Sequence, residues 1–160
     1  TYNQVSSKLL SQLRQNNRNV LNQLLVFNPN KTLKRRVTSM SNIENISLNA
    51  LLTNIKQAQH PIEFTQVMQV IADNYQYQPT AFSNGELVNE SGTNEGSCKI
   101  FYFAQLNNLT PSQTLACFGS YYREDVLENP KGNDHQNIRN FMQTGWQGIK
   151  FKAAALSPIK

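Results

Sequence analysis

A chain of 160 residues with 39% hydrophobic and 16% charged side chains has the size and composition of one globular domain. No apolar run approaches the ~18–20 residues of a membrane span, and the longest, Ile100 to Leu106, contains Gln105. Asn, Gln and Ser interrupt residues 1–27 throughout, which argues against a secretory signal.

The net charge of +5 is unevenly spread. Residues 1–42 hold seven Lys or Arg and no acid, while residues 43–160 hold eight against ten acids, so local charges are +7 and −2. The chain divides on this basis into a basic N-terminal extension, 1–42, and a mildly acidic domain, 43–156. Three readings of the extension compete. Lys34-Arg35-Arg36 would attract RNA phosphates or an anionic surface; a basic, acid-free stretch rich in Ser and Asn also fits a targeting peptide. The favoured reading is an add-on upstream of Met40, in which Leu9, Leu10, Leu13 and Val20, Leu21, Leu24, Leu25 make a loose helical stripe.

Within the domain, Ser47 caps a helix with Leu48, Leu51, Leu52 and Ile55 on one face, ending near Gln59 before His60-Pro61. Pro61 suits the first turn of a second helix carrying Phe64, Val67, Met68 and Ile71, antiparallel to the first. Tyr75, Tyr77, Thr80 and Phe82 favour strand, and Asn84-Gly85 marks a type I′ hairpin returning through Leu87-Val88. Ile149-Lys150-Phe151 supplies a third strand.

A polar loop spans Ser91 to Ser97, and Cys98 to Leu106 reads as a buried helix with no wholly polar face. Thr110-Pro111-Ser112-Gln113 is a capping box with Pro at the first helical position. Its helix carries Leu115, Phe118, Tyr122 and Val126 and stops before Pro130. Asp134 caps a last helix with Ile138, Phe141 and Met142 inward and Gly145 closing it. The sum is a single compact, mainly helical α+β domain of about five helices with a small antiparallel hairpin or sheet.

Distinctive residue types crowd between Asn94 and Trp146: both cysteines, one of the two histidines, the only tryptophan and four of the seven glycines. Cys98 follows Gly96-Ser97 at the expected helix start, where a dipole stabilises a thiolate. His135 as base, with Asp134 or Asn137 to orient it, would complete a Cys-His-Asp arrangement. The plainer reading is a packed cysteine at a helix contact, and Cys117 between Leu115 and Phe118 belongs to the core.

Asn94, Glu95, Gly96 and Ser97 leading to Lys99 offer backbone N–H groups to a phosphate or carboxylate, although the Walker pattern is absent. Tyr121, Tyr122, Arg123, Arg139 and Trp146 make a second candidate surface for stacking or peptide contact. There Arg123 has a structural alternative, pairing with Glu124, Asp125 or Asp134. Cys98, Cys117, His60 and His135 lack close ligand-pair spacing, so a metal site is not expected. The acidic balance of the domain argues against duplex nucleic acid as its partner.

Several strings in the domain resemble the HopJ type III effector family. They are Tyr77-Gln78-Pro79-Thr80-Ala81-Phe82 with Asn84-Gly85, Asn94 to Phe101, Thr114 to Gly119 with Tyr121-Tyr122-Arg123, and Asp134 to Met142 with Gly145-Trp146. The resemblance covers most of residues 43–152 and implies a small α/β-type domain from bacteria, with no catalytic activity or cofactor attached to it. The function expected is therefore a non-catalytic domain that binds a protein or small ligand. It would work in the bacterial cytoplasm or after type III secretion. The alternatives are a cysteine-nucleophile enzyme using Cys98 and His135, and an RNA or anionic-surface binder using the extension.

Overall fold

The structure, a computed structural model, describes residues 46–160. The basic extension 1–42 and its expected helical stripe lie outside the described residues. Helix α1 (Leu48–Gln57) begins where the Ser47 side chain accepts from the Ala50 N–H, and it buries Leu51 and Ile55. It ends two residues before the expected Gln59, at a left-handed Ala58.

Helix α2 (Phe64–Asn74) packs against α1 and buries Val67, Val70 and Ile71. It starts three residues later than Pro61 suggests, because Glu63 and Gln66 pair across its first turn, the Gln66 side chain accepting from the Glu63 N–H at 3.1 Å. A side-chain cap outweighs the preset φ of proline here.

Strand β1 (Tyr75–Tyr77) follows directly, then β2 (Phe82–Asn84) and β3 (Leu87–Asn89). The hairpin is present with one correction. Asn84 pairs with Leu87, so the two turn residues are Gly85 and Glu86 rather than Asn84-Gly85. Only Gly85 has positive φ, +61°, which is the type II′ pattern and not type I′. Asn84 thereby becomes the inward-facing end of a strand, fully buried.

Helix α3 (Glu95–Leu106) runs through the core and buries Cys98, Ile100, Phe101, Phe103 and Ala104. Phe101 touches the rings of Phe82, Phe118 and Phe141 at centroid distances of 6.1, 5.4 and 4.9 Å. Burying one such ring contributes about 1.5–3 kcal/mol, so this cluster is a large part of what fixes the fold. The helix starts three residues before the expected Cys98, so Glu95, Gly96 and Ser97 form its first turn and not a loop.

The Thr110 capping box opens α4 (Pro111–Ala116) as expected. The helix does not continue smoothly to Val126. Gly119, at φ +60°, lies so close to α2 that a Cβ would sit 2.7 Å from the Phe64 backbone nitrogen. Beyond this break the chain winds as a π-helical segment, Tyr121–Val126. Helix α5 (Gln136–Thr144) is preceded by His135, not Asp134, as its N-cap, and ends at Gly145. It buries Ile138 and Phe141, but Met142 is exposed, a second departure from the expected inner face.

After a 3-10 turn (Gly145–Gly148), β4 (Ile149–Phe151) pairs with β2, giving the antiparallel order β3-β2-β4 and confirming the third strand. Strand β5 (Leu156–Pro158) pairs with β1 in a separate two-stranded sheet that periodicity does not reveal. The Tyr75–Phe82 stretch is thus split between two sheets. The described residues form a mainly helical α+β domain with two small antiparallel sheets.

Candidate functional site

Among the described residues, three of five α-helices close their first turn with side chains, through Ser47, the Glu63–Gln66 pair and the Thr110–Gln113 box. Helices α3 and α5 have no side-chain cap. Their N-cap residues, Asn94 and His135, are both left-handed at φ 48°. An N-cap side chain reaches the first-turn N–H groups from the extended region. The left-handed turn swings it elsewhere, and Asn and His are among the residues that tolerate that turn.

Both uncapped starts open on one cleft of about 320 Å³, lined by Asn94, Gly96 and Ser97 from α3 and His135, Asn137 and Ile138 from α5. Phe64, Phe118 and Tyr121 complete it. The Phe64 ring stands edge-on to Tyr121 at 5.2 Å, and Tyr121 leans on His135 at 5.3 Å. Gly96 permits this wall, since a Cβ there would meet the Phe64 ring at 2.9 Å. Tyr121 opens the π-helical segment. Such segments interrupt regular helix at a cost and recur at functional sites.

A buried asparagine network sets the two helix starts. Asn89 Oδ1 accepts from Asn94 Nδ2 at 2.7 Å and from Asn137 Nδ2 at 2.8 Å, so one oxygen ties α3 to α5. Asn84 Nδ2 donates to the Asn137 carbonyl at 2.7 Å, and Asn140 donates to the Asn84 carbonyl at 3.2 Å. Hairpin and both helices are joined through amides that would each cost about 1–3 kcal/mol if left unpaired.

Cys98 and His135 have separate partners. The Cys98 thiol is buried and faces the Thr80 carbonyl at 3.8 Å. Its own N–H already donates to the Asn94 carbonyl, so it is past the free amides of the helix start. Burial pushes its pKa up, and the neighbouring Tyr77 hydroxyl and Thr80 backbone only partly offset that. Burial likewise pushes the Cys117 thiol up to about 12. The His135 Nε2 meets Asp125 Oδ2 at 3.0 Å and Asp134 Oδ2 at 3.8 Å. Among the described residues no hydrogen bond joins Cys98 to His135. Asn137 is committed to Asn84 and Asn89 rather than to the imidazole.

The other candidates scatter. Lys99 Nζ lies 4.5 Å over the Tyr77 ring, and Glu95 is on that same side near Tyr77 and Cys98, neither lining the cleft. Arg123 donates to the Ile62 carbonyl at 2.6 Å and to Glu63 at 2.7 Å, tying the π-helical segment to the start of α2. Its partner is none of Glu124, Asp125 and Asp134. Arg139 donates to the Asp134 carboxylate at 2.6 Å and the Asn129 carbonyl at 3.0 Å, fastening the 129–134 loop. That guanidinium holds the Asp134 carboxyl below the usual range. Trp146 donates to the Leu109 carbonyl at 3.0 Å and stands edge-on to Phe141, while Tyr122 packs on the core.

Of the expected binding residues, Asn94, Gly96, Ser97 and Tyr121 therefore reach the cleft, joined by His135 and Asn137. Phe64, Phe118 and Ile138 belong to the expected apolar helix faces and Asn84 to the expected turn, while Asn89 carries no expected role. The signal that was available is the asparagine content around two helix starts, without the acceptor-and-Glu spacing of a cap.

A family model described as HopJ type III effector protein matches residues 48–156. A crystal structure of a protein of unknown function, VPA0580, is similar over 70% of this chain and 93% of its own, at 54% identity and a TM-score of 0.67. No curated protein matches.

Proposed function

The chain belongs to the HopJ type III effector protein family, and we propose that its domain acts without covalent chemistry, as a binding module for a small anionic ligand. The observation that carries this reading is the convergence of two uncapped helix starts on one partly apolar cleft. Free first-turn N–H groups and the positive ends of two helix dipoles favour negative charge there. The aromatic wall of Phe64 and Tyr121 gives the apolar contact that most ligand clefts possess.

The state of the cysteines speaks against a nucleophile. A thiol whose pKa is raised by burial is protonated near neutral pH, whereas thiol catalysis needs the thiolate and a base within about 2.6–3.2 Å. Both cysteines are free and buried, which suits a reducing compartment such as the cytoplasm. Among the described residues no helix is long and apolar enough to cross a membrane. In this reading residues 43–156 carry the activity and 1–42 are an extension lying before the family match.

The test is a screen of anionic, neutral and cationic fragments against the isotopically labelled full chain, read by amide shifts. Anionic fragments are expected to move Gly96, Ser97, Gln136 and Asn137 together. Hits confined to another surface, or no preference for anions, would overturn the proposal.

A further inference from the structure

We propose that Asn84-Gly85 is a self-modification site, a pair that deamidates to aspartate or isoaspartate once the hairpin opens and that the closed fold holds inert. It is the sole Asn-Gly pair among the 160 residues. In such a pair the glycine nitrogen, with no side chain beside it, can reach the side-chain carbonyl carbon of the asparagine. A carbon–nitrogen bond forms there and ammonia leaves with the glycine N–H proton. Water then opens the cyclic imide at either carbonyl, and nothing else is consumed.

The fold requires both residues. Gly85 has φ +61°, a conformation that favours glycine, and a Cβ on it would meet Thr144 Cγ2 at 3.3 Å. Asn84 donates from Nδ2 to the Asn137 carbonyl at 2.7 Å and to Asn137 Oδ1 at 3.1 Å. The same contacts block the reaction. They fix the Asn84 side chain against α5, while pairing with Leu87 and Ile149 keeps its backbone extended. The Gly85 N–H donates to the Gly148 carbonyl at 3.0 Å, which retains the proton that must be lost. Gly148 packs so closely that a Cβ on it would lie 2.8 Å from the Gly85 nitrogen, so that nitrogen has no room to swing.

Closing the hairpin again does not undo the conversion. Asn84 is fully buried, and among the described residues no donor meets its Oδ1. A carboxylate at this position replaces two donated hydrogen bonds with contacts between oxygens and buries a charge without a partner. Isoaspartate also lengthens the main chain by a carbon, which disturbs the register of the central strand in the order β3-β2-β4. Each opening thus carries a chance of irreversible exit from the folded state, and the pair sets a lifetime for the domain.

The experiment incubates the full chain, folded and unfolded in urea, beside a peptide of residues 81–88, and follows isoaspartate at position 84 by peptide mapping. Conversion in the folded chain is expected to be at least about a hundredfold slower than in urea, because it passes through the opened fraction alone. At intermediate urea concentrations the rate should track that fraction. Equal rates in the folded chain and the peptide overturn the protection. A peptide that converts while the urea-unfolded chain does not overturns the site itself. Asn84→Asp stands in for one product and should fold with a lowered urea midpoint or not fold at all; a midpoint equal to the parent's overturns the one-way exit.

Discussion

Asn89 and Asn137 hold each other through two reciprocal amide hydrogen bonds, Asn89 Nδ2 to Asn137 Oδ1 at 3.1 Å and Asn137 Nδ2 to Asn89 Oδ1 at 2.8 Å. Both side chains are buried, 48 residues apart in sequence, at the point where hairpin meets helix start. Asn137→Ala removes the partner of two other buried amides, those of Asn84 and Asn89. It should destabilise the domain by about 2–3 kcal/mol in urea titration. Asn94 and Gly96 amide signals should shift in the same variant, although neither residue touches position 137 in the hydrogen-bond network.

Ser97→Asp separates binding from stability. A carboxylate in the first turn of α3 interacts well with the helix dipole, so the variant should gain about 0.3–1 kcal/mol. The same charge occupies the electrostatic position proposed for the ligand. Calorimetric binding of an anionic ligand should fall while the melting temperature holds or rises.

The two thiols predict an alkaline loss of stability. Folding keeps protons on Cys98 and Cys117 that the unfolded chain releases, because burial raises both values. Stability is therefore full below about pH 8.5, the ordinary thiol range, and falls as pH rises, for Cys117 until about 12. The slope is at most about 1.4 kcal/mol per pH unit for each thiol. Burial raises Tyr77 as well, adding to the loss above the phenol range. Denaturation midpoints of the Cys117→Ala variant should show a shallower alkaline limb than the parent.

Gly119→Ala tests the packing of the π-helical segment on α2. The added Cβ would lie 2.7 Å from the Phe64 nitrogen and 3.1 Å from the Ile62 carbonyl, in a backbone with φ +60°. The cost should exceed about 2 kcal/mol, read as a lowered melting temperature. Because Phe64 and Tyr121 wall the cleft, ligand binding should weaken in the same variant.

Arg139→Ala should loosen the 129–134 loop, seen as faster hydrogen exchange at Gly132, whose N–H donates to the Asn129 carbonyl. Asp134 is held low by Arg139, so what this pair contributes is present above the ordinary aspartate value of about 3.9 and disappears as pH falls through the lowered one. Equal exchange in both proteins at pH 7 would mean the loop is held by other contacts.

Local patterns were enough for much of the architecture. The Ser47 cap, the Thr110 box, the hairpin beside Gly85, the strand at Ile149–Phe151 and the buried helix through Phe101 follow from residue types a few positions apart. They are legible because capping, turn geometry and apolar periodicity act over one or two turns. Where a local rule failed, a longer contact or a stronger cap had overridden it. Pro61 lost the start of α2 to Glu63 and Gln66, and Met142 faces solvent although its spacing permits burial.

The sequence by itself determined a mainly helical α+β domain and the residue block around which the family is recognised. Only tertiary structure decided that Asn94 and His135 turn left-handed, and that Asn89 joins their helices across the hairpin. It also decided that Cys98 and His135 answer to different neighbours. The cleft is made of four segments spread from Phe64 to Ile138 that meet only when the core around Phe101 closes, and no pattern within a helical turn encodes that meeting.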